Sequence, residues 1–403
     1  MAAKKLTIKE IAKLSGISVS TVSRAINNHY DISPETKRRV QEIIDQYGYV
    51  PNNSARNLKL NDARNIAVLV KGITNPFFTS MIKVFEKECS DHDYSLVLEH
   101  VEEEQDETEL AALLEKEKRL NGIIFLGGNP VQSVERLKRL TVPFVFCSVA
   151  VPDRKAFEEY SYVAIDDRAE AEKVTDYLIE QGRKRIALLS DAESDISNGM
   201  LRLEGYLHSL KKHGIEPDPA LICRPISIQK TYTYENGYQR TMALIQSGTK
   251  FDAIFAIADS IAIGCLRALR DQGIRVPEDV AVIGFDGLEI GHYLTPSLTT
   301  LQQPVNEMAE ASMYALLGLL EEREKEVEVK LAGDSSTAKR QDAAVKVSDG
   351  NAETSDGGAR KNGMERPVGD RADVASVELS GPNKKTAKFQ QIFPGELKIR
   401  ESC

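Results

Sequence analysis

Two hydrophobic periods divide this chain. Between Thr7 and Tyr49 apolar residues recur every three or four positions, the period of packed helices. From Asn65 onward short apolar runs alternate with amphipathic stretches, the pattern of an α/β body. In the head, Thr7 and Glu10 have capping-box spacing, so a helix is expected to start at Thr7, with Ile8, Ile11, Ala12 and Leu14 as its apolar face. Gly16 supplies a tight turn and Ser18 is placed to cap a second helix. That helix buries Val22, Ala25 and Ile26 and leaves Ser20, Thr21, Ser23 and Arg24 outward. Ser33-Pro34-Glu35 starts a third helix, and Val40, Ile43, Ile44 and Tyr47 are expected to close a three-helix core. The arrangement is that of a helix-turn-helix, whose second helix can enter a major groove.

In the body, strands are expected at Ile66–Val70, Ser95–Glu99, Gly122–Leu126, Phe144–Cys147, Tyr162–Ile165, Ile186–Leu189, Ala253–Ala256 and Val280–Phe285. Helical stretches such as Phe78–Ser90, Glu107–Arg119, Glu170–Gln181 and Ile261–Asp271 separate most of them. Such alternation implies parallel sheets covered by helices on both faces. The strands are too many for one ordinary sheet, and a break near Pro152–Tyr160 is expected to divide them into two. Two sheets facing each other form a cleft at the carboxyl ends of their strands.

Residues 332–388 contain no aromatic residue and no isoleucine, and are expected to form a disordered insertion that loops out between two paired C-terminal strands. Strand-like sequence resumes at Phe389.

Charge sharpens the division. The net charge is −9, yet residues 1–60 carry ten basic groups against five acidic ones, leaving about −14 on the rest. A basic head on an acidic body confines phosphate attraction to one end. The five cysteines are scattered without metal or redox spacing, so neither a disulfide framework nor a metal site is expected, and no cofactor. No run is long and apolar enough for a membrane span and no signal-peptide core opens the chain; no membrane partner and a cytoplasmic, nucleoid-associated protein are expected.

The ordered run TIKEIAKLSGISVSTVSRAINN, followed by YGYVPNNSARNLK, resembles the lactose-repressor/galactose-repressor family of bacterial transcriptional regulators. The resemblance extends into the body and implies a two-subdomain fold like that of periplasmic sugar-binding proteins. It gives a helix-turn-helix headpiece at 1–50, a hinge helix and linker at 51–63, and an effector-binding and dimerisation body at 64–331 and 389–403. Subdomain 1 would take 64–163 and 303–325, and subdomain 2 would take 164–298 with the C-terminal strands. With no leucine-heptad tail, a homodimer is expected rather than a coiled-coil tetramer.

By the same resemblance Val19, Ser20 and Arg24 occupy base-reading positions. Arginine can donate twice to guanine O6 and N7, whereas Val19 offers only apolar contact. Thr7, Thr21, Ser23 and Asn27 suit phosphate or capping. In the hinge, Ala55 and Ser54 are small enough for two helices to pack across a dimer axis. Leu58 matches the leucine wedged into the minor groove, and Arg56 and Lys59 would hold phosphates beside it. A two-fold protein implies a pseudo-palindromic double-stranded operator.

For the cleft, the TNPFF run places Phe77 and Phe78 where aromatic rings stack on an effector. Arg202 in NGMLRLEGY matches a ligand arginine, and Asp286 in VIGFDG ends a buried strand where a carboxylate needs a partner. Asp166, Asp259, Ser148 and Tyr232 complete the implied site, Asp166 and Asp167 having helix capping as their plain alternative. The family often has Asn-Asp where this chain has Ala258-Asp259, and sometimes Asp in place of Ser148. Lactose- or galactose-like recognition is therefore not implied.

These residues predict a repressor controlled allosterically by a sugar or sugar derivative, with a corepressor-dependent regulator responding to a purine or other metabolite as the alternative. A binding protein without DNA function would lack the head. An enzyme of the dehydrogenase kind would need a Gly-rich turn after the first strand, where Val70-Lys71-Gly72-Ile73 stands instead, and catalysis is not expected.

Overall fold

The computed structural model describes residues 7–26, 32–47, 64–102, 105–128, 134–191, 197–225, 231–344 and 388–403. It divides into two units, Met1–Ala63 and Arg64–Cys403.

In the first unit, α1 (Ile8–Ser15), α2 (Val19–Ile26) and α3 (Pro34–Tyr47) enclose Ile11, Ala12, Val22, Ala25 and Val40. Glu10 accepts from the Thr7 amide at 2.7 Å, which satisfies a donor that α1 would otherwise leave open. Gly16 turns the chain at φ 68°, a left-handed conformation that favours glycine. Ser18 then accepts from the Thr21 amide at 3.1 Å and starts α2. Two expected core residues are outside it: Leu14 is 46% and Tyr47 47% exposed. At 100° per residue, Leu14 lies off the stripe formed by Ile8, Ile11, Ala12 and Ser15. The small Ser15 takes the inner position, its hydroxyl donating to the Ile11 carbonyl at 2.8 Å.

The second unit holds two six-stranded sheets. The first is built from β1 (Asn65–Lys71), β2 (Ser95–Val101), β3 (Leu120–Leu126), β4 (Phe144–Cys147), β5 (Tyr162–Ile165) and β11 (Gln390–Phe393), in the order β11-β5-β4-β3-β1-β2 with parallel pairing. The second uses β6 (Ile186–Leu189), β7 (Ile222–Cys223), β8 (Ala253–Ala256), β9 (Ala281–Asp286), β10 (Thr299–Gln302) and β12 (Glu396–Lys398), ordered β12-β10-β9-β8-β6-β7. Its β10–β12 pair is antiparallel. Strands β1, β3, β5, β6, β8 and β9 are buried along most of their length, as continuous apolar runs require.

The α-helices of the body, among the described residues, are α4 (Phe77–Asp91), α5 (Glu107–Lys118), α6 (Val134–Leu137), α7 (Asp167–Glu180), α8 (Asn198–Lys212), α9 (Tyr234–Gln246), α10 (Asp259–Asp271) and α11 (Val305–Ala344).

Three expectations are corrected. The division between the sheets falls after β5, not at Pro152–Tyr160 or at 163: Val163 pairs with Cys147 and Ile165 with Phe393, which keeps the whole strand in the first sheet. The C-terminal strands do not pair with each other. β11 joins β5 and β12 joins β10, so the chain crosses between sheets at Pro394-Gly395. The low-complexity segment therefore leaves from a helix, α11, rather than from a strand, and α11 carries residues 332–344 in helical backbone. Residues 345–387 lie outside the described residues.

Candidate effector cleft and DNA-reading helix

In the body, the cleft chemistry gathers where carboxyl ends of strands from the two sheets meet. Asp286 is the last residue of β9, 2% exposed, at φ 118°. A left-handed backbone is costly for a residue with a side chain, and two donors fix the carboxylate there. Asn75, on the turn between β1 and α4, donates its Nδ2 to Asp286 Oδ2 at 3.1 Å. Gln303, just after β10, donates its Nε2 to Oδ1 at 2.8 Å. Gln303 Oε1 is buried and meets no donor among the described residues, an open acceptor beside this cluster.

Arg202 comes from α8, whose first turn is capped by Ser197 through the Met200 amide at 3.0 Å. Its Nε donates to Asp167 Oδ1 at 2.8 Å, Nη1 donates to the Ile257 carbonyl, and Nη1 lies 3.9 Å from Asp286 Oδ1. The guanidinium stacks on the Phe285 ring, 3.7 Å from its centroid. Burial pulls this arginine toward neutrality, but Asp167 and Asp286 outweigh it and hold it above its ordinary value. Burial also raises Asp167 and Asp286, each to about 6, although Arg202 opposes the rise in both.

Asp259 opens α10 and is fully buried. Its Oδ2 accepts from the amides of Gly287 (3.0 Å) and Leu288 (2.6 Å), and its Oδ1 from the Thr300 hydroxyl (2.6 Å). Gly284 makes the approach possible, since a Cβ there would lie 2.1 Å from Asp259 Oδ1. Burial, reinforced by Asp286, pushes Asp259 up to about 8. These contacts make Asp259 a brace for the turn after β9.

The adjacent aspartates separate cleanly. Asp166 is exposed and caps α7 through the Ala169 amide at 3.1 Å, while Asp167 is the buried partner of Arg202. Phe77 and Phe78 are buried at the start of α4, their rings 5.4 Å apart. Tyr232 donates its hydroxyl to Asp191 at 3.2 Å, and its carbonyl accepts from Ser260 at 2.7 Å. Ser148 is 6% exposed at φ 54°, and its carbonyl accepts from Asn198 Nδ2 at 3.4 Å. The structure thus joins Arg202 and Asp286 and adds Asn75, Asp167, Asn198 and Gln303, which sequence reasoning did not assign to the site. The one local signal was the asparagine of the TNPFF run; the others depend on distant partners.

In the head, Val19, Ser20 and Arg24 lie on the exposed side of α2, with Val19 36% exposed. Thr21 and Ser23 are half-buried, and Thr7 is exposed at the cap of α1. Ser18 ties down the hydroxyls of Ser20 (2.7 Å) and Thr21 (2.8 Å), which orients the first turn. Asn27, Ala55, Arg56, Leu58 and Lys59 lie outside the described residues. Among the described residues no helix is long and apolar enough to cross a membrane.

These features agree with what the chain is similar to. Residues 7–52 match the bacterial regulatory proteins of the lacI family, and residues 175–340 match a periplasmic binding protein-like domain. The HTH-type transcriptional regulator MalR of Clostridium butyricum is 39% identical over 318 residues, covering 78% of this chain and 93% of its own. The ribose operon repressor of Escherichia coli K12 is 32% identical over 318 residues, covering 77% and 92%. A structure of the Lac repressor bound to ONPG in its repressed state shares the fold, with a TM-score of 0.66 at 20% identity over 99% of this chain and all of that one. A helix-turn-helix head, two parallel sheets around a buried arginine–aspartate cluster and these relatives together place the chain in the lacI family, as a DNA-binding transcriptional regulator.

Proposed function

We propose that the protein is a cytoplasmic repressor whose hold on DNA is set by a neutral sugar bound between the two sheets of its body. The observation that carries this reading is the Arg202–Asp286 cluster, where planar and carboxylate groups converge with an unsatisfied Gln303 acceptor. Such paired donors and acceptors suit vicinal hydroxyls, and Phe77, Phe78 and Tyr232 are the apolar surfaces on which a sugar ring would rest. Charge selects against a phosphorylated effector. Asp167 and Asp286 flank one buried Arg202, so a phosphate here would meet carboxylates in a medium that screens them poorly. The name of one relative, the ribose operon repressor, supports a sugar as the effector class.

On DNA, Arg24 would read a guanine, Val19 and Ser20 its neighbours, and Thr7, Thr21, Ser23 and Asn27 the backbone. Ala55, Arg56, Leu58 and Lys59 would form the minor-groove contact of a homodimer on a pseudo-palindromic operator. A ligand changes operator affinity only as far as it binds two arrangements of the body differently. The test is selection of binding sites from random duplexes, followed by fluorescence anisotropy of the winning duplex with and without maltose, cellobiose and ribose. A sugar that changes the dissociation constant at least ten-fold supports the reading. Recovery of no preferred duplex, or operator affinity indifferent to every sugar, overturns it.

A further inference from the structure

Two asparagines, one from each half of the body, donate across the cleft in opposite directions. Asn75 belongs to the half containing β1 and reaches Asp286 at the end of β9 in the other sheet. Asn198 opens α8, on the second half, and reaches the Ser148 carbonyl just after β4 in the first sheet, while also donating to Asp167 Oδ2 at 3.2 Å. The two acceptors share a further property. Among the described residues four non-glycine positions have positive φ, namely Asp93, Arg119, Ser148 and Asp286. Asp93 and Arg119 turn the chain at helix ends, an ordinary use of that conformation. Ser148 and Asp286 have no helix end to close, and each is instead the target of the asparagine from the opposite half.

We infer that Asn75 and Asn198 form a reciprocal latch that holds the halves of the body in one relative arrangement, and that this latch is the element an effector competes with. The regulatory part of this inference rests on the proposed effector cleft; the latch itself does not. Asn75 is well suited to the task because its side chain is used twice. Its Oδ1 accepts from the Phe77 amide at 3.1 Å and so fixes the start of α4, while its Nδ2 spans the cleft. Movement of the halves apart must break the second bond and leaves the first intact. A hydroxyl donated to Asp286 by a bound polyol would compete with Asn75 for the same carboxylate, so occupancy of the cleft and closure of the latch are linked through one group.

The double use of Asn75 also separates a latch from a simple helix cap. Asn75→Asp keeps the acceptor for the Phe77 amide, removes the donor and sets a carboxylate against Asp286. Asn75→Ala removes both. The double variant Asn75→Asp/Asp286→Asn restores a donor–acceptor pair with its polarity reversed. The experiment is hydrogen–deuterium exchange of the full chain without ligand, read over residues 146–150 and 197–202, which flank the other arm of the latch. Exchange there should quicken roughly five-fold in Asn75→Asp, consistent with the loss of one buried hydrogen bond. It should return toward the parent rate in the double variant. Asn198→Ala should quicken exchange over residues 73–78 in turn, on the half from which Asn198 does not come. If Asn75→Asp exchanges like the parent and only Asn75→Ala differs, Asn75 is a cap for α4 and the latch is refuted. Because no sugar is present, failure of the effector reading would leave this result unchanged.

Discussion

The head and the cleft use similar side chains at different ranges. In the head, the caps and the turn that set the first two helices join residues close in sequence: Thr7 with Glu10, Ser18 with Thr21, Gly16 with the Ala12 carbonyl. In the cleft the decisive pairs are Asn75 with Asp286, Arg202 with Asp167 and Arg202 with Asp286. The groups proposed to read DNA are left exposed, which costs little, whereas the cleft keeps charges away from water and must balance them internally. Substitutions should therefore be mild and local in the recognition helix and severe and distributed in the cleft.

The largest effect is expected from Arg202→Ala, which leaves Asp167 and Asp286 buried without their cation. It should cost about 3–5 kcal/mol in urea denaturation of the body. A change near zero would mean that water already reaches these carboxylates. Next comes Ile11→Ala, which empties the centre of the headpiece. A loss of about 2–5 kcal/mol is expected there, seen as lost DNA binding while the thermal transition of the body stays in place. A shifted body transition would show that the units do not behave separately.

Arg24→Ala should cost about 1–3 kcal/mol on the selected duplex and relax preference at one base pair per half-site. Equal loss on random DNA would assign Arg24 to phosphate instead. The smallest effect concerns pH. Asp259, raised to about 8, binds its proton more tightly in the folded chain than in the unfolded one. The contribution is thus present at low pH and lost as pH rises from near 4 through 8. Asp259→Asn keeps an acceptor for the Gly287 and Leu288 amides and removes the titration, so the fall in body stability between pH 6 and 8 should flatten. An unchanged slope would place the titration elsewhere.

The same difference in range explains what was legible in the sequence. Helical spacing and caps announced the head, because those forces act within one turn, although Leu14 and Tyr47 show that an apolar residue beside the stripe is easily counted into it. Alternating apolar runs marked β1 to β6, β8 and β9 in order of appearance, but not the short β7 and β10. They could not say that β11 and β12 part company, since a short strand carries no mark of its partner. Arg202 and Asp286 could be picked out, the first by resemblance and the second also as a charged residue ending a buried run. Asn75 was marked only by its place in the TNPFF run, and Gln303 and Asn198 read as ordinary polar residues until folding brings their acceptors to them. With Asp166 and Asp167 the choice turned on one residue of register: the first caps α7 and the second faces inward.

The central claim is that the cleft recognises a neutral sugar, and a thermal melt of the full chain tests it most directly. Maltose, cellobiose and ribose would be compared with glucose 6-phosphate and ribose 5-phosphate in the parent and in Arg202→Lys. At 100 times its dissociation constant a ligand adds about 2.7 kcal/mol of apparent stability, well within reach of the method. The account predicts that a neutral sugar raises the transition of the parent, that the sugar phosphates leave it in place, and that Arg202→Lys loses most of the shift. Stabilisation by a sugar phosphate instead, or by none of these compounds, would contradict it.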